Sequence, residues 1–126
     1  LDLCLLGRWV LHLPAGKILH DSIGAAPARP HECGVGWTAH YSIGVVFALV
    51  FLLLSPEGWL ERPTVLPALA FGVATVIVPF ATLQPAFGLG FAGSRTPKPN
   101  AARLKSLGTH TVFGLGLYVG ALVLSF

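Results

Sequence analysis

From Val35 to Leu54 the chain carries no Asp, Glu, Lys or Arg, and no other feature constrains its fold as much. A helix over those roughly twenty residues, rising about 1.5 Å at each, spans the ~30 Å hydrocarbon core of a bilayer. Thr64 to Leu83 and Leu107 to Phe126 are as long and as empty of charge. Together they predict an all-α polytopic transmembrane helix bundle with full spans over 35–54, 64–83 and 104–126, one transmembrane domain filling residues 1–126.

Composition bears on what surrounds these helices. Of 126 residues, 54% are hydrophobic and 10% charged, where a soluble domain carries charge at about a quarter of its positions. A chain this short leaves too much surface in water to hide that much apolar side chain, so the lipid bilayer is the expected partner. The net charge of +3 does not point to nucleic acid: the basic residues sit beside apolar runs and form no stripe interleaved with aromatics. Cys4 and Cys33, far apart and in neither CxxC nor Cys/His metal spacing, read as free thiols. No cofactor is implied. The chain begins at Leu1 and has no Met, so its start is expected to be missing.

Leu3, Leu6, Val10 and Leu13 recur at helical spacing ahead of Pro14 and Gly16. Residues 1–13 are too short to cross a bilayer, which leaves an amphipathic helix in the interface or the end of a truncated span. Residues 14–34 read as a surface loop. Residues 84–103 read as a basic loop whose glycine-rich start, Ala86 to Gly93, is an interfacial or re-entrant piece. In the second span Thr64 is placed to N-cap, Pro79 to bend or break the helix near Val76, and Gln84 to cap its end. A break at membrane depth requires a neighbouring helix, a hydroxyl or water to take the freed backbone group, and Thr75 is the nearest hydroxyl.

Basic residues set the expected orientation. Arg8, Lys17 and Arg29 precede the first span and Arg95, Lys98, Arg103 and Lys105 lie between the second and third, against Arg62 alone in the loop 55–63. This asymmetry predicts loops 14–34 and 84–103 on the cytoplasmic side, and loop 55–63 with the C-terminus outside. Trp37, Tyr41 and Trp59 then fall in interfacial aromatic belts.

His40 and His110 each lie one to two turns inside spans that run in the same direction, so they are expected at similar depth. Ionisable residues within spans usually face the bundle interior. Gly36, His40, Gly44 and Ala48 share one face, and Ser106, His110 and Gly114 another, so both imidazoles are expected to point inward. Two readings stay open: interhelical hydrogen bonds that fix the packing, or a ligand, proton or metal site near the cytoplasmic face joined by His20 and Asp21. Two histidines fall short of the three or four ligands usual for zinc, and a bis-histidine haem rests on depth alone.

His20-Asp21-Ser22 holds the residue types of a hydrolytic triad. Sequence neighbours cannot form that relay, and no G-x-S-x-G elbow surrounds Ser22, so a loop or cap role is expected. Arg95, Lys98 and Arg103, with Ser94 and Thr96, suit a lipid phosphate or serve only as positive anchors. Gly116-x-x-x-Gly120 suits a close helix contact with a second copy or a membrane partner.

Gly7-Arg8-Trp9, His20-Asp21-Ser22-Ile23, Gly36-Trp37-x-Ala39-His40-Tyr41-x-Ile43-Gly44, Gln84-Pro85, Ser94-Arg95-Thr96-Pro97 and His110-x-Val112-Phe113-Gly114 follow one another along nearly the whole chain. In these stretches the sequence resembles a bacterial inner-membrane family catalogued as domain of unknown function 2938. The resemblance implies four spans, one of them before Leu1, and supplies no activity or catalytic residue. The expected function is a non-enzymatic, transporter-like or accessory membrane component. The alternative is a membrane enzyme or a metal or haem binder acting at the cytoplasmic side through His40 and His110.

Overall fold

The computed structural model describes residues 1–126 and contains no strand. Its helices are α1 (Leu3–His12), α2 (Glu32–Leu54), α3 (Val65–Ala74), α4 (Ile77–Ala81), α5 (Leu83–Ala86) and α6 (Pro99–Leu124). Single 3-10 turns follow at Leu13–Ala15 and Phe91–Gly93. Three units are long and apolar enough to cross a membrane: α2, the broken series Val65–Ala86, and α6.

Pro79 explains the break. It has no N–H to give the carbonyl of Thr75, four residues back, and the ladder between α3 and α4 tightens instead. Val78 N–H reaches the Thr75 carbonyl at 3.1 Å and Val76 N–H reaches Val73 at 3.1 Å. Thr64 stands at the N-cap of α3 with extended backbone, yet its hydroxyl makes no capping bond. Its carbonyl accepts the Trp59 indole N–H at 3.1 Å instead.

Two close helix contacts build the bundle, and glycine permits both. Gly72 on α3 meets Gly114 on α6, and a Cβ on either would collide with the backbone opposite. Gly7 on α1 sits against the Glu32 carbonyl and Gly36 amide of α2, while Gly36 sits against the Leu3 carbonyl. The first turns of α1 and α2 therefore touch backbone to backbone. Contact that close brings the Cα atoms of Cys4 and Cys33 to 3.8 Å, and the two form a disulfide. The free-thiol expectation is wrong: a separation of 29 residues says nothing about distance once two glycines let the helices meet.

Arg8 locks the same seam. Its Nε and Nη2 fork onto Glu32 at 2.9 and 2.7 Å, and its Nη1 reaches the carbonyls of Ile23, Gly24 and Ala26 at 3.4, 3.2 and 3.1 Å. Hydrogen bonding to Glu32 raises the guanidinium above its ordinary range, so the fork stays charged. The loop held this way then docks on the end of α5 and the residue after it. His20 N–H bonds the Ala86 carbonyl at 2.9 Å and Ile23 N–H bonds Phe87 at 3.1 Å, with Leu6, Ile23, Ala86 and Phe87 as a small buried core.

At the opposite end Phe51, Trp59, Ala68 and Ala121 form a second core. Trp59 is buried there, edge-on to Phe51 with centroids 4.7 Å apart. Such a pair adds roughly 0.5–1.5 kcal/mol beyond its area, and the bond to Thr64 satisfies the indole. Between the two cores the spans stay bare outward. Only 6%, 22% and 11% of the apolar windows of α2, Val65–Ala86 and α6 are buried by the protein itself.

Candidate functional site

The break in the second span and the inner face of α6 together make a polar seam. Thr75 is buried at the end of α3, and its hydroxyl donates to the Gly72 carbonyl at 2.6 Å. That oxygen has one proton, so at 2.8 Å from His110 Nδ1 it accepts and the ring donates. His110 is thereby held with its proton on Nδ1, leaving Nε2 without a hydrogen bond. The sequence supplies the geometry: Gly114, one turn beyond His110, lets α6 approach Gly72 closely enough for this contact.

Toward the basic end the seam continues along the same face of α6. Ser106 accepts from Gln84 Nε2 at 3.4 Å, and Arg103 Nε donates to the Ala92 carbonyl at 3.0 Å. From Arg103 to His110 the row descends about 10 Å at 1.5 Å per residue. Gln84 Oε1 lies within it, buried and without a partner. A buried acceptor left unpaired is costly, and such positions are where a water or a ligand donor is usually found. Thus Gln84, expected as a helix cap, faces Ser106 across the seam.

His40 is not where the spacing predicts. Its side chain is exposed, with Tyr41 beside it at a ring distance of 6.0 Å. The Gly36 end of its stripe is covered by α1, but cover stops near Ala39, and Gly44 one turn further has open space in front of it. No hydrogen bond joins His40 to His110, whose ring partner is Thr75.

His20 and Asp21 are also apart from His110. The His20 ring packs edge-on to His12 at 5.3 Å, its Nε2 buried and unpartnered, while Asp21 is exposed on the docked loop. His12, which sequence reasoning passed over, is buried and bonds the Pro27 carbonyl through Nε2 at 3.0 Å. No group of three or more His, Cys, Asp or Glu is placed to share a metal ion.

Of the three basic candidates, Arg95 and Lys98 are exposed and their side chains make no hydrogen bond. Arg103 is half-buried and tied to Ala92 and to Asn100 Oδ1 at 3.2 Å, a role set by the folded turn. Gly116 and Gly120 have nothing within 4 Å, so neither takes part in packing within the chain. The glycines that pack helix on helix are Gly7, Gly36, Gly72 and Gly114, and Gly88 lies close against the backbone of His20 and Asp21 in the docked loop.

No curated protein and no solved structure matches this chain. A family model does, and it spans the seam, the docked loop and both glycine contacts. The chain belongs to the family described as Protein of unknown function (DUF2938), whose model matches residues 1–124.

Proposed function

We propose that this chain is a non-enzymatic, transporter-like component of a bacterial inner membrane, in which the Thr75–His110 pair at the broken span binds or relays a proton. The observation that carries this reading is the coincidence of three features at one point: a helix interruption, a hydroxyl and an inward imidazole. Broken helices at membrane depth are tolerated where they line a cavity or are buried in protein, and in transporters they mark binding sites. Imidazole with one nitrogen fixed and the other free is suited to accept and pass a proton.

Gln84, Ser106 and Arg103 support a route from the basic face, since they set polar groups between that face and His110. Seven of the eight Lys and Arg residues flank that end, which favours the cytoplasm as its side. Arg95 and Lys98, exposed and unpaired, suit contact with anionic headgroups there.

Reconstitution into liposomes enclosing a pH-sensitive dye tests the relay. An imposed pH gradient is expected to collapse faster with the wild-type protein than with His110→Ala, while His40→Ala stays close to wild type. Equal rates for the wild type and His110→Ala would overturn the proposal.

A further inference from the structure

We propose that the Cys4–Cys33 bridge is a thiol–disulfide exchange site, reduced by a dithiol that attacks Cys33 at the surface of the basic end. The two sulfurs are unequal: Cys33 is exposed and Cys4 is half-buried. Each is the second residue of its helix, where unpaired backbone N–H groups favour a thiolate. The N-terminal ends differ as well. Asp2 caps α1 through its carboxylate on Cys4 N–H at 2.9 Å, whereas His31 makes no side-chain cap on α2. Cys33 is therefore the reachable sulfur, and the carboxylate beside it, Glu32, is engaged by Arg8, whereas the Asp2 carboxylate is turned onto the Cys4 N–H.

Exchange also requires that the halves stay together when the bond is open, and this seam does not depend on the sulfurs. Backbone contact at Gly7 and Gly36 and the Arg8 fork on Glu32 hold α1 against α2 independently. Two thiols left by reduction remain neighbours and can close again. The orientation proposed above adds a second reason, and this part rests on that reading. A permanently closed bridge does not fit a cytoplasmic face, where thiols are kept reduced, but an exchangeable one does.

The chemistry balances as an ordinary two-step exchange. A thiolate of the dithiol attacks Cys33 Sγ, forming a mixed disulfide and expelling the Cys4 thiolate, which takes up a proton. The second thiolate of the dithiol then attacks its own sulfur in the mixed disulfide and releases the Cys33 thiolate. The dithiol loses two electrons and becomes a disulfide; the protein pair gains them.

Full-length protein in detergent micelles, where both faces are reachable whatever the orientation, is equilibrated with mixtures of reduced and oxidised dithiothreitol and trapped with a mass-adding maleimide. A reversible transition reached identically from both directions, with circular dichroism unchanged, is expected. In parallel, oxidised glutathione is expected to label Cys33 in Cys4→Ser about tenfold or more faster than Cys4 in Cys33→Ser. A bond that opens only when the helices unfold, or equal labelling of the two variants, would overturn the proposal. Neither outcome bears on proton transfer at His110.

Discussion

At His110 one hydrogen decides what the ring can do. The Thr75 hydroxyl spends its only proton on Gly72, so the ring must donate through Nδ1 and its other nitrogen is left free. Thr75→Val removes the acceptor while keeping the shape, and is expected to destabilise the protein by about 1 kcal/mol, the usual worth of one interhelical hydrogen bond in a membrane. Thermal unfolding in detergent measures it. Gly7→Ala is expected to cost more, at or above the upper end of the ~1–3 kcal/mol for overpacking, because backbone opposite it cannot turn aside as a side chain does. The same substitution is expected to lower the yield of the Cys4–Cys33 bridge, read by maleimide trapping. Arg8→Lys keeps the charge but loses the fork and most of the carbonyl contacts. Faster proteolysis within residues 14–31, at unchanged helix content, is its expected signature.

Elements differ in how far their sequence foretells them. Length and emptiness of charge are local properties, so the helices that cross were legible, and so was the break, since Pro79 removes a donor whatever surrounds it. Packing partners were less legible. His110 could be placed inward because Gly114 shares its face, but the identical argument failed for His40, whose stripe runs out of covering helix beyond Ala39. The disulfide was hidden for the same reason: it depends on α1 reaching α2, and nothing local to Cys4 or Cys33 reports that. Pro79→Ala is expected to restore the amide to the Thr75 carbonyl, gaining at most roughly 3 kcal/mol. Its cost should appear at the seam, as straightening α3 into α4 moves Thr75 off His110. Hydrogen exchange at residue 79 and proton flux, measured on one variant, are expected to show protection gained and flux lost.

For the molecule as a whole, basic charge gathers at one end, and the polar side chains that pair between the spans gather along one seam. The segment between α1 and α2 meets the end of α5 and the stretch leading to α6 through His20, Ile23, Ala86 and Phe87, so these two basic regions share a side of the bundle. Loop 55–63 lies at the other end with Phe51 and Trp59. A single cysteine placed at Glu57, in a Cys4→Ser/Cys33→Ser background, is expected to react with an impermeant maleimide from outside the cell, and one placed at Lys98 is not. The reverse pattern would invert the orientation without touching the bundle. Thr75, Gln84, Ser106 and His110 find partners in each other along the seam between α3, α5 and α6, as polar groups at membrane depth must, while His40 stands outside it.

Nitrogen NMR of ring-labelled protein in lipid bilayers reads that convergence directly. A His110 Nδ1 resonance that is protonated and hydrogen-bonded, and that shifts in Thr75→Val but not in His40→Ala, is the expected result. A His110 ring with its proton on Nε2, unmoved by Thr75→Val, would contradict the site.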